Sequence, residues 1–183
     1  MWNQTWPAVN KILVTGLIGS GKSEVCAYLA RLGYPVYDSD SRTKALYSSV
    51  PGLKTRIEQA IGCPFEQIGV IFSDPQKRQA LEALVYPLVL EDFRGFCSES
   101  SAKTVFFESA VAFGKPQFKG VFDKVVLVRA PFETRLERNP KTAQRAASQE
   151  EMKLEEADYI IENNSGLQEL HDQIDRMIKT IKI

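Results

Sequence analysis

The chain has 183 residues, 44% hydrophobic and 25% charged, which suits one soluble domain with a complete core. Its 23 basic and 23 acidic residues cancel, so no global field draws it to nucleic acid or to an anionic membrane. No apolar run approaches the ~20 residues of a membrane helix, and MWNQTWPAVNK lacks the basic start and apolar core of a signal peptide, so the expected location is the cytoplasm.

In chain order, residues 1–10 read as a loosely ordered tail and 11–183 as a single domain. KILVT (11–15) is a short buried strand. Val25, Leu29 and Leu32 then recur at helical spacing, and Gly33 closes that helix. PVYD (35–38) is a second strand, and a helix starts at Ser39 or Asp40 and runs through Leu46. Residues 48–100 read as a small helical subdomain on the acceptor side. Within it, SDPQK (73–77) opens a long helix with Pro75 in its first turn and an apolar stripe of Leu81, Leu84, Val85 and Leu88. Pro87 lies inside that pattern and predicts a kink.

KTVFFES (103–109) and KVVLVRA (124–130) are continuous apolar strands, as expected where helices cover both sheet faces. PFETRLER (131–138) is helical, and the polar stretch 139–157 reads as largely helical. DYII (158–161) is a fifth strand. A last helix follows, with Ser165 and Gln168 spaced as a capping box. Its expected buried face is Leu167, Leu170, Ile174, Met177, Ile178 and Ile181. Strands alternating with helices predict an α/β fold with a five-stranded parallel sheet in three layers. In such sheets ligands bind at the carboxyl ends of the strands.

The cysteines, Cys26, Cys63 and Cys97, are odd in number and far apart, which suggests apolar fillers rather than a disulfide framework or a zinc site. His171, the lone histidine, sits in a polar stretch of the last helix and reads as solvated.

The chemistry concentrates in GLIGSGKS, residues 16–23, which fits G-x-x-x-x-G-K-[ST] between a strand and a helix. Gly16, Gly19 and Gly21 allow the backbone of Leu17, Ile18 and Ser20 to curl with its N–H groups inward, around phosphate oxygens. Lys22 would reach the outer phosphates and Ser23 would place its hydroxyl on Mg²⁺. The pattern predicts a nucleoside triphosphate site on a P-loop fold.

The second strand ends in YDSDSRTKAL, with Asp38 and Asp40 two residues apart. From the neighbouring strand end, one of them can accept the proton of an attacking hydroxyl or orient Mg²⁺ waters, while the other is free to cap a helix. Arg42 and Lys44 read equally as acceptor-phosphate ligands and as surface charges. Glu108, ending the third strand, fills the place of a second acidic group acting on Mg²⁺ directly or through its waters.

VTGLIGSGKS, GYPVYDSD and ADYIIENNSGLQEL, in that order, resemble the dephospho-CoA kinase family. The resemblance spans residues 11–181 and implies transfer of the ATP γ-phosphate to the 3′-hydroxyl of dephospho-CoA. It implies Asp40 as the catalytic carboxylate, Asp38 and Lys44 beside the acceptor, Asn163 near the adenine, and Arg138 and Arg145 as lid arginines. The chain departs from the family at Tyr86-Pro87, where the family commonly has His-Pro, and at Phe113 in SAVAF, where a glutamate is usual. Its lid, about 138–149, is shorter by several residues and leaves one family arginine without a counterpart. Two other readings stay open: a P-loop kinase with another nucleotide or small metabolite as acceptor, and a nucleotide-binding relative that no longer transfers phosphate.

Overall fold

The structure, a computed structural model, describes residues 6–145 and 154–181, the side chains of residues 144, 145 and 154 excepted. Strands β1 (Asn10–Thr15), β2 (Val36–Asp38), β3 (Thr104–Glu108), β4 (Lys124–Arg129) and β5 (Tyr159–Glu162) form one parallel sheet in the order β2-β3-β1-β4-β5. Helix α1 (Lys22–Arg31) follows β1, α2 (Ser39–Ser49) follows β2, and α3 (Leu53–Ile61) and α4 (Pro75–Glu99) lead into β3. Helix α5 (Phe132–Arg138), the short α6 (Thr142–Arg145) and α7 (Leu167–Thr180) complete the helices. No described helix is long and apolar enough to cross a membrane.

The strands read as unbroken apolar runs because alternate side chains enter two different cores. Ile12, Val14, Phe106, Val126, Val128 and Ile161 face α1 and α7, where they meet Val25, Leu29, Leu170, Ile174 and Met177. Leu13, Tyr37, Val105 and Phe107 face the other way, onto α3 and α4, and pack with Leu53, Ile57, Leu81, Val85, Val89, Phe93 and Cys97. Residues of the expected helical segment 48–100 thus share one cluster with the sheet.

The breaks follow the turn chemistry. Gly33, at φ +92°, turns the chain out of α1. Asp74 caps α4 by accepting from Gln76 N and Lys77 N, with Pro75 at the first helical position. Helix α4 then continues unbroken through Pro87. Cys26 and Cys97 are buried in the two cores, and all three cysteines are free.

Five local expectations need correction. The chain is anchored before residue 11: β1 starts at Asn10, and Trp6 packs on Phe93 with their ring centroids 5.7 Å apart. Helix α2 runs three residues past Leu46, to Ser49. The expected capping box is absent, because α7 begins after Gly166 with no side-chain cap, and Gln168 donates instead to Asp172. Leu167 is 60% exposed and Leu32 46% exposed, since each stands at a helix end, beyond the reach of the sheet beneath. Finally, β2 does not neighbour β1; the chain skips one place and β3 later fills it. Of the expected polar helix 139–157, α6 and a 3₁₀ turn at Leu154–Glu156 are described, and residues 146–153 lie outside the described residues.

Candidate active site

The carboxyl ends of β1, β2 and β3 open onto a cleft of about 540 Å³. It is lined by Ile18, Gly19, Gly21, Lys22 and Ser23 from the first loop and by Asp38, Asp40 and Lys44 from the second strand and helix. Glu108, Ser109 and Ala110 come from the end of β3, and Arg138, Asn139 and Lys141 from the end of α5 and the turn after it. Ten of the residues expected at the site therefore line one concavity, joined by Ser109 and Ala110 and, from the expected lid segment, by Asn139 and Lys141, which had not been singled out. Both sit in a polar stretch whose spacing carries no motif.

The loop between β1 and α1 is shaped by contacts that leave no room for side chains. A Cβ on Gly16 would collide with the carbonyl of Val128, and one on Gly19 with the backbone of Arg135. At Gly21 the backbone is left-handed, at φ +97°, and a Cβ would run into the Asn163 amide. Ser20 N donates to Leu17 O at 3.1 Å, closing the turn. Lys22 Nζ folds back toward Leu17 O at 3.4 Å. Burial pulls the Lys22 ammonium below its usual pKa, against Glu108 and Asp40, which favour the charged form. A largely buried cation beside a turn that excludes side chains, at a helix N-terminus, is an arrangement suited to polyphosphate.

Asn163 closes this loop from behind rather than lining the cleft. It is 6% exposed, and its Nδ2 donates to Ser20 O at 2.9 Å. Its own backbone N donates to Arg129 O at 2.7 Å, extending the β4–β5 ladder by one step. Arg138 joins the cluster: Nη2 donates to Asn163 O at 3.2 Å and Nη1 reaches Ser20 O at 3.5 Å. Ser20 Oγ is buried with no hydrogen-bond partner among the described residues.

The acidic side divides its labour. Asp38 is the N-cap of α2: Oδ1 accepts from Asp40 N and Ser41 N, both at 3.1 Å, and Oδ2 from Ser41 Oγ at 2.6 Å. Most of its acceptor capacity is spent on the helix. Asp40, on the first turn, is exposed and turned into the cleft, where its charge acts on Lys22. The parallel register sets Asp38 beside Glu108. Glu108 Oε1 accepts from Ser23 Oγ at 2.8 Å, so a hydroxyl and a carboxylate stand together where the loop meets the sheet.

Lys44 lines the cleft and is exposed. Arg42 turns away from it, onto Asp92 of α4. Tyr86 is buried against Phe118, and Phe113 packs into the cluster around α4. His171 stacks on Tyr28 with centroids 4.0 Å apart, on the α1–α7 face away from these groups. Arg145 ends α6, its side chain outside the described residues, as is the later part of the expected lid.

Comparison with known proteins accords with this arrangement. The profile of the dephospho-CoA kinase family matches residues 66–169. A dephospho-CoA kinase from Thermus thermophilus is 34% identical over 172 residues, covering 86% of this chain and 84% of that protein. The crystal structure of TT1252 from Thermus thermophilus superposes with a TM-score of 0.79 at 31% identity, covering 98% of this chain and all of that one (100%). A dephospho-CoA kinase from Campylobacter jejuni, 21% identical, shares the fold with a TM-score of 0.62 over 94% of this chain and 96% of its own. A sheet in the order β2-β3-β1-β4-β5, a phosphate loop after β1 and a profile match across more than half the sequence lead to one assignment: the chain belongs to the dephospho-CoA kinase family.

Proposed function

We propose that the chain phosphorylates the 3′-hydroxyl of dephospho-CoA with ATP, giving coenzyme A and ADP. The observation that carries this reading is the carboxylate of Asp40, free of hydrogen bonds among the described residues, facing Lys22 across the same cleft. A pure nucleotide binder has no need of it. The amides of residues 16–21 and Lys22 hold the triphosphate. Asp40 takes the proton of the attacking hydroxyl, and Lys22 and Arg138 neutralise the phosphoryl group in flight. Arg145 is assigned the same role from the lid side. Asp38 shapes the acceptor side by fixing α2, and Lys44 offers its ammonium to an anionic group of the acceptor. Asn163 serves ATP by holding the Ser20 carbonyl back, which keeps the loop's amides turned inward.

The residues also fit a magnesium ion arriving with ATP. Ser23 Oγ and Glu108 are paired hard oxygen donors at the loop, with Asp40 across from them, a set suited to Mg²⁺. Among the described residues no three Asp, Glu, His or Cys side chains converge as a metal cage. That suits an ion held through one hydroxyl, waters and substrate oxygens. When bound, it would spread the negative charge of the β- and γ-phosphates. A cytoplasmic setting fits a consumer of ATP whose cysteines are free.

The deciding measurement is turnover with ATP, Mg²⁺ and dephospho-CoA by the native chain and by Asp40→Asn. Transfer is expected to fall by about 10² or more, with ATP affinity by calorimetry nearly kept. Equal rates would remove Asp40 from the chemistry. A native chain that turns over other nucleosides or metabolites but not dephospho-CoA would change the acceptor.

A further inference from the structure

The first turn of α2 carries Asp40, yet little apolar packing holds it. Ser39 is the helix's buried residue, and the partly buried Leu46 and Tyr47 lie at its far end. The Asp38 cap fixes where the helix starts and Leu46 and Tyr47 hold its far end, which leaves the side of the first turn that carries Asp40 without apolar support. A second tie lies to the side. Arg42 Nε donates to Asp92 Oδ2 at 2.7 Å and Nη2 to Oδ1 at 2.6 Å, a two-pronged pair from α2 to α4. Tyr37 OH donates to the same Oδ2 at 2.6 Å. The Arg42 guanidinium lies over the Tyr37 ring, 5.5 Å from its centroid.

Tyr37 is itself immobilised. It is 1% exposed, stacked on Phe107 with centroids 5.0 Å apart and edge-on to Phe93 and Phe96. It is also the residue before Asp38. The Asp92 carboxylate therefore receives donors from β2 and α2 while standing on α4, and joins the three elements around the base of Asp40. An isolated surface ion pair contributes little, but a planar fork braced by a buried phenol defines a direction as well as an attraction.

We propose that Arg42 and Asp92 are positioning residues for phosphoryl transfer, their paired contact with Tyr37 holding the first turn of α2 so that Asp40 stays aimed into the cleft. This rests on the role given to Asp40 above. A general base displaced by about 1 Å loses on the order of 10²-fold in rate. The loss belongs in kcat rather than in ATP affinity, because the triphosphate is held on the other side of the cleft.

The test compares the native chain with Arg42→Ala, Asp92→Ala, Arg42→Lys and the double alanine variant. Each single alanine change is expected to lower kcat by about 10- to 100-fold and to leave ATP affinity by calorimetry within about twofold. Because the residues act as one unit, the double variant is expected to lose no more than the worse single one. Lysine, a point charge without the fork, is expected to restore only part of kcat. Amide hydrogen exchange supplies a readout apart from turnover: residues 39–43 exchange faster in the variants, while β1 and β3 stay as protected as in the native chain. Native kcat in either alanine variant, losses that multiply in the double, or unchanged exchange in α2 would each overturn the proposal. A native chain inactive on dephospho-CoA would instead show in the first control, and would count against the function rather than the clamp.

Discussion

Gly21 and Asn163 show how closely this site is built at the scale of single residues. The backbone at Gly21 is left-handed, and the space a Cβ would take is already filled by the amide that holds Ser20 O. Gly21→Ala therefore meets two separate penalties, a strained φ of about 1–3 kcal/mol and a collision that forces Asn163 aside. Urea unfolding is expected to show the sum for Gly21→Ala, whereas the same change made in an Asn163→Ala background, measured against Asn163→Ala alone, is expected to show the strain without the collision. A double variant as stable as Asn163→Ala alone would mean that φ at residue 21 costs nothing. The glycines, Lys22 and Ser23 were legible in the sequence as one loop because its chemistry is local: the spacing marks where the backbone has to turn with no room for side chains. The roles of Asp38 and Asp40 were not separable from the spacing, since a two-residue change in where α2 starts exchanges cap and free carboxylate. Arg42 stayed open for a different reason. Its partner is 50 positions away in the chain, and no pattern near Arg42 points to Asp92. Asn163 was noticed, but its use as a brace behind the loop depends on how β5 ends against α1, which only the fold reveals.

At the scale of elements, apolar periodicity carried most of the information and failed at the ends. The five strands and their helices were readable because residues 12–14, 105–107 and 126–128 are apolar throughout, the mark of a sheet covered on both faces. The order of the strands was not, because nothing within β2 states that the chain has skipped a place for β3. Helix α7 illustrates the failure at an end. Leu167 falls on the same helical stripe as Leu170, Ile174 and Met177, yet it is 60% exposed while Ile174 is fully buried at 0%. Periodicity gives the side a residue faces, not whether anything lies under it. Two substitutions separate these cases. Ile174→Ala opens a cavity between α7 and the sheet and is expected to cost about 2–5 kcal/mol of stability. Leu167→Ala is expected to stay within about 0.5 kcal/mol of the native value. Denaturant midpoints for the two variants check this, and similar losses would mean that the first turn of α7 is packed after all.

For the molecule as a whole, carboxylates that tie elements together set how folding responds to acid. Asp158 closes the outer edge of the sheet: Oδ1 accepts from Lys124 Nζ and Oδ2 from Val125 N, each at 2.8 Å, joining the start of β5 to β4. Asp92 joins α4 to α2 and β2. For both groups burial alone would raise the pKa, but the hydrogen bonds outweigh it and hold each carboxyl below the ordinary 3.8. A folded pKa below the unfolded one means that the unfolded chain binds more protons in acid. The stabilisation is then complete above the unfolded value and is lost as pH falls through the folded one. Stability is therefore expected to be flat from neutrality to a pH of about 5 and to decline below about 4. Asp158→Asn keeps an oxygen for Val125 N but loses the charge that faces Lys124. Its midpoint is expected to lie below the native one at neutral pH, and the gap is expected to narrow as acid removes the same charge from the native protein. Urea titrations of both proteins at a series of pH values from neutral to about 2.5 measure that gap directly, and a gap that stays constant into acid would show that the ionised form of Asp158 contributes nothing to the fold.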